Sequence, residues 1–270
     1  MIRVGFIDYL NCLPLRLGLE ATGGLEGVDL VGGTPVEVNA ALLSGEVELG
    51  LVSSASWALN RDQLCRIPGY GIASDGAVMS VLLAARGDHQ WDQSLSRVRR
   101  VALTSESATS QVLVRILLER MRGASPRYEV VSTLPERALA GYDATLFIGD
   151  VALQVRRLEG VDVYDLGEAW ERFTGLPIVY AVWASRGNPA RYAFWADRVA
   201  RAVSWAEENL AAVVEQALLR GAPATKEDLE TYFASCIVYR VGAREEEGLE
   251  RYLTEWGLLA PEVYGERVSA

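Results

Sequence analysis

Short apolar runs alternate with runs of helical period from the first residues onward. Residues 2–7 read as a buried strand, and 13–21, around Pro14, read as a short helix. Residues 28–31 predict a second strand, and 36–43 a helix stopped at Gly45. Residues 47–52, VELGLV, predict a buried strand that ends in Ser53-Ser54. Residues 65–72 and 77–85 are two further β-rich stretches.

A polar loop, ARGDHQWDQSLSR, separates this unit from a second one. There, 101–103, 128–131, 144–148 and 161–164 predict strands. Helical pieces are expected at 108–121, 135–140 and 151–158. Residues 178–184 form an apolar strand leading back out. The last third is helical: one long period runs from Phe194 to Ala217, then 227–235 and 245–256 follow. Alternating strands and helices of this kind predict an α/β fold with parallel pairing. Two extended, apolar segments bracket the middle unit. The expected architecture is therefore two lobes, 1–84 plus 178–270 and 85–177, joined by two crossing strands with a ligand cleft between them.

Charge narrows the partners. The 270-residue chain carries a formal net charge of −10 and is 50% hydrophobic. That balance argues against nucleic acid and anionic membrane as partners. It also means that a site for a small anion must be built locally from backbone N–H groups or a few side chains. Three scattered cysteines, Cys12, Cys65 and Cys236, and a single histidine, His89, give no zinc spacing and no disulfide framework. His89, among Asp88, Gln90 and Asp92, reads as a solvated loop residue. The N-terminus enters a strand at once, without a secretory leader pattern, so a cytoplasmic protein is expected. No Ser-His-Asp set and no phosphate-binding glycine loop can be drawn; Gly23, Gly24 and Gly27 lack the spacing. Neither metal nor cofactor is expected. The expected partners are a small-molecule substrate and, at most, a second copy in a homodimer.

Small polar residues collect where strands end. The first strand ends in Asp8-Tyr9-Leu10-Asn11, the third in Ser53-Ser54, and the strand at 144 in Gly149-Asp150. Ser80 is flanked by apolar residues in GAVMSVLLA. The strand at 101 ends in a turn with five hydroxyls: Thr104, Ser105, Ser107, Thr109 and Ser110. Helix capping accounts for one or two of these, and Asp150 can also cap the helix that follows it. In a doubly wound sheet such ends share one edge, so two opposed lobes would bring them into one cleft. Trp170 and Phe173, three residues apart, read as core.

These residues resemble a known family. The opening Val4-Gly5-Phe6-Ile7-Asp8-Tyr9-Leu10-Asn11 with Pro14 is similar to the start of the chorismate dehydratases of the futalosine route to menaquinone. Matches continue through Glu37-Val38-Asn39, Ser53-Ser54, Met79-Ser80-Val81, Ser107 with Thr109-Ser110, Asp165-Leu166-Gly167, and Thr174-Gly175-Leu176-Pro177. Trp57 and Ile178 depart from the usual Tyr and Phe. The resemblance implies a fold like the type II periplasmic solute-binding proteins. It also implies loss of water from chorismate to give 3-[(1-carboxyvinyl)oxy]benzoate. On that reading Asn11, Ser80 and Asp150 are the catalytic candidates. Asp8, Tyr9, Ser53, Ser54, Ser107, Thr109, Ser110 and Gly149 are the substrate-binding candidates. The base is Asp8, Asp150 or a carboxylate of the substrate itself. The related 1,4-dihydroxy-6-naphthoate synthase and a non-catalytic carboxylate-binding protein are the alternatives.

Overall fold

The computed structural model describes residues 1–85, 95–131, 139, 141–156 and 160–259. Two sheets form. The first holds β1 (Ile2–Ile7), β2 (Val28–Gly33), β3 (Leu49–Ser53), β4 (Leu64–Ser74), β10 (Ile178–Arg186) and β11 (Val238–Arg240), ordered β11-β4-β10-β3-β1-β2. The second holds β5 (Val81–Ala85), β6 (Arg100–Thr104), β7 (Arg127–Val131), β8 (Ala144–Ile148) and β9 (Asp162–Asp165), ordered β7-β6-β8-β5-β9.

The pairing explains why a cleft forms. β1 runs parallel to β2 and β3, and β6 parallel to β7 and β8. Their carboxyl ends, at Ile7, Ser53, Thr104 and Ile148, mark one edge of each sheet. β10 is antiparallel to β3 and β4, and β5 is antiparallel to β8. β4 therefore leaves the first sheet, and β5 and β10 enter their sheets, at those same edges. Both chain crossings lie where the two carboxyl edges face each other, the usual place for a ligand in such sheets. The expected lobe boundary after residue 84 shifts: residues 81–85 already pair with β8 and β9, so the first crossing is 75–80.

Local chemistry sets the helices. α1 (Leu13–Ala21) has Pro14 in its first turn, where a missing N–H costs nothing. α2 (Pro35–Ser44) opens with a capping box between Thr34 and Glu37 and stops at Gly45, φ 82°. α3 (Ser54–Leu59) is capped by Ser53, and α4 (Ala108–Arg115) by Ser107 before a π-helical stretch, Ile116–Met121. α5 (Gly149–Val155) follows β8 directly, starting before the residue 151 expected. α6 (Leu166–Thr174), α7 (Ala193–Glu208), α8 (Leu210–Leu219), α9 (Lys226–Thr231) and α10 (Ala243–Leu259) complete the chain.

Three details differ from the sequence expectation. The long helical period over 194–217 is broken at Asn209, whose φ is −120° and whose side-chain amide donates to the Trp205 carbonyl. α6 has no counterpart in the expected elements, although Asp165 caps it with two backbone N–H bonds. β11, three residues long, is too short to leave a period. The expected helix at 135–140 lies largely outside the described residues, as do the loop at 86–94 and His89 within it. Trp170 is fully buried, and its indole N–H donates to the Pro177 carbonyl at 3.1 Å. Among the described residues, no helix is long and apolar enough to cross a membrane.

Candidate functional site

The carboxyl edges of both sheets line one narrow cavity of about 50 Å³. From the first lobe come Tyr9, Asn11, Pro35, Ser53 and Tyr180; from the second lobe and the crossing come Ser80, Ser107, Ser110 and Gly149. Ile7, Ile72, Val78, Val81, Ile148 and Ala181 supply apolar walls. Among the described residues, no Lys, Arg, Asp or Glu lines it. The polar functions on offer are neutral hydroxyls, one amide and backbone dipoles.

The hydroxyls of the cavity differ in how many of their hydrogen bonds are already made. Ser53 Oγ accepts from the Ser56 N–H at 3.2 Å and from the Asn39 amide at 3.3 Å. Its single O–H is left for a ligand. Ser107 Oγ accepts from the Ser110 N–H and donates to Ser110 Oγ at 2.8 Å. Ser110 keeps its own proton, and the two hydroxyls form a relay at the N-terminus of α4. The first N–H groups of that helix lack intrahelical acceptors, and the helix dipole adds positive potential there.

Asn11 sits in a 3-10 turn, Leu10–Cys12, directly after β1. Asn11 lines the cavity, and its buried side-chain oxygen has no hydrogen-bond partner among the described residues. A buried polar atom without a partner costs about 1–3 kcal/mol, so a donor brought against it would be favoured. Ser80 Oγ bonds the Val78 carbonyl only weakly, at 3.4 Å. The crossing that carries it is held by Asp165, whose carboxylate accepts the N–H groups of Val78, Met79, Gly167 and Glu168. Met79 takes a positive φ of 63° to make that turn. A Cβ on Gly167 would stand 2.5 Å from the Gly76 carbonyl, so only glycine lets α6 approach the crossing this closely. The Asp165-Leu166-Gly167 motif thus builds the frame for Ser80.

Four expected site residues stand elsewhere. Thr109 Oγ1 donates to the Tyr180 carbonyl at 3.0 Å and accepts from the Ala55 N–H at 3.1 Å, tying the lobes together. Ser54 Oγ donates to the Val179 carbonyl at 2.7 Å. Asp8 is exposed and paired with Arg16 at 2.9 Å. Asp150 does not line this cavity; it accepts the Leu10 N–H at 3.0 Å across the lobe interface. Burial pushes its carboxyl above the ordinary value, and the Leu10 N–H opposes that only in part. Asp8 and Asp150 face a second, outer hollow, which Tyr9 separates from the first.

Tyr9 closes the wall between the two. Its hydroxyl donates to Glu106 of the second lobe at 2.6 Å, and its ring lies against Gly149. Burial and the Glu106 hydrogen bond both push the Tyr9 phenol upward, so it stays protonated as a donor. Sequence reading missed Tyr180, Pro35 and Asn39. Asn39 gave a signal in Glu37-Val38-Asn39, a polar residue on the buried face of α2.

A profile of the family described as menaquinone biosynthesis matches residues 2–256. The chain belongs to that family. It is similar to a chorismate dehydratase of Thermus thermophilus, 39% identical over 203 residues, 69% of this chain and 70% of that one. It is also similar to a chorismate dehydratase of Campylobacter jejuni, 22% identical over 253 residues, 92% of this chain and 95% of that one. In fold it is similar to the periplasmic aliphatic sulphonate binding protein of Escherichia coli. The TM-score is 0.67 at 14% identity, over 96% of this chain and 86% of that one. The expected two-lobe, periplasmic-binding-protein-like α/β architecture is therefore the fold of this family member.

Proposed function

We propose that this chain dehydrates chorismate to 3-[(1-carboxyvinyl)oxy]benzoate on the futalosine route to menaquinone, working in the cytoplasm without a cofactor. The observation that carries the reading is the shared cavity itself. It is lined from both lobes by neutral donors and lies in a member of a family whose relatives include chorismate dehydratases.

The substrate is a dianion with one ring hydroxyl. Ser107 and Ser110, backed by the start of α4, suit one carboxylate. Ser53, with its free O–H, suits the other or the enolpyruvyl arm. In the reaction a ring C–H proton leaves, its electron pair enters the ring, and the adjacent C–O bond breaks. The departing hydroxide takes up a proton as water, and the ring becomes aromatic. Asn11 hydrogen-bonds the departing hydroxyl, and Ser80 lines the floor beside it. With Asp8 and Asp150 outside the cavity, the remaining candidate for the base is a carboxylate of the substrate. A dry, closed cleft would raise the basicity of that group.

Incubating the purified chain with chorismate and no additive should yield the aromatic product, followed by absorbance and mass. Binding without turnover would favour a non-catalytic carboxylate-binding protein. Release of a naphthoate from cyclic dehypoxanthinylfutalosine, with chorismate untouched, would favour the naphthoate synthase.

A further inference from the structure

Asn11 owes its placement to groups that hold its backbone. Within the turn, the Cys12 N–H already bonds the Tyr9 carbonyl. The Leu10 N–H and the Asn11 carbonyl are then the two groups that set the tilt of the turn. The Leu10 N–H donates to Asp150, at the start of α5 in the second lobe. The Asn11 carbonyl accepts from the Tyr239 hydroxyl at 2.8 Å, from β11 in the first sheet. The turn is strung between the lobes, and Asn11 lines the cavity with its side-chain oxygen buried and without a partner among the described residues.

We propose that Asp150 and Tyr239 are positioning residues for Asn11, and that Asp150 fixes Asn11 in its working orientation only while the lobes are closed. This inference rests on the dehydratase reading above. Asp150 is not a cavity residue, so its carboxylate acts through the Leu10 amide. Were the lobes to part, the Leu10 N–H would lose its acceptor and Asn11 its fixed tilt. Loss of water from the ring would then be confined to a closed, water-poor cleft.

The test is steady-state kinetics with chorismate on the wild-type chain, Asp150→Ala, Asp150→Asn and Tyr239→Phe, with folding checked by circular dichroism. Asparagine keeps an oxygen that can accept the Leu10 N–H; alanine does not. Misplacing Asn11 by an ångström should cost kcat about ten- to a hundredfold in Asp150→Ala and Tyr239→Phe. KM should stay within about threefold, because the lining hydroxyls are untouched. Asp150→Asn should recover most of the loss. If Asp150→Ala fails to fold, Tyr239→Phe and Asp150→Asn carry the comparison. Asp150→Asn as inactive as Asp150→Ala would overturn the inference, because the charge itself would be required. Wild-type kcat in Tyr239→Phe and Asp150→Ala would overturn it too. A wild-type chain that leaves chorismate unchanged overturns the dehydratase reading, and the positioning claim falls with it.

Discussion

Asn39 brackets Ser53 with two hydrogen bonds. Its carbonyl accepts the Ser53 N–H at 3.1 Å, and its amide donates to Ser53 Oγ at 3.3 Å. A buried residue of α2 thereby fixes a hydroxyl at the end of β3, on a residue that lines the cavity. Asn39→Ala leaves the Ser53 N–H without an acceptor. Urea unfolding should show a loss of about 1–3 kcal/mol. KM for chorismate should rise more than kcat falls.

Ser110 and Thr109 are adjacent in sequence and should fail differently. Ser110→Ala removes a donor from the cavity. A lost hydrogen bond of about 1.4 kcal/mol weakens chorismate binding about tenfold, with a smaller effect on unfolding. Thr109→Val strands the Ala55 N–H and the Tyr180 carbonyl at the lobe interface. It should cost about 1–3 kcal/mol of stability. Calorimetric binding beside thermal melts separates the two; the opposite pattern would exchange their roles.

Gly149 has φ 58°, and a Cβ there would stand 3.0 Å from the Tyr9 ring. Gly149→Ala should destabilise by about 1–3 kcal/mol through backbone strain and displacement of Tyr9. Combining it with Tyr9→Ala should remove the clash and leave the strain, so the two changes should not add in a denaturation cycle.

Asp150 gives a pH signature with a defined sign. Its carboxyl is raised in the folded chain by burial. Folding therefore takes up a proton, and stability falls as pH climbs through the folded-state pKa. Asp150→Asn, neutral throughout, lacks that fall. It should match the wild type in acid and exceed it at neutral pH when urea midpoints are compared. A variant less stable than the wild type at neutral pH would contradict the assignment.

How much the sequence disclosed follows from geometry. Asn11, Ser53, Ser80, Ser107, Ser110 and Gly149 were visible as small polar residues at strand ends, and all line the one cavity. Thr109 and Ser54 looked equivalent to their neighbours and are not. Successive helical residues turn by about 100°, so Ser107 and Ser110, three apart, share a face while Thr109 points to the other lobe. Asp150 looked like a cavity acid because it follows Gly149; the start of α5 turns it toward Leu10 instead. Asn39 and Tyr239 act at long range, from α2 and β11, and no local pattern marks which strand end they will meet.

The proposed chemistry of the cleft rests most directly on Asn11. The measurement is chorismate binding by calorimetry together with single-turnover product formation, for the wild type and Asn11→Ala. The variant should bind chorismate with nearly wild-type affinity and form product more slowly by about a hundredfold or more. Undiminished turnover in Asn11→Ala would contradict the assignment of the cleft's chemistry to this residue.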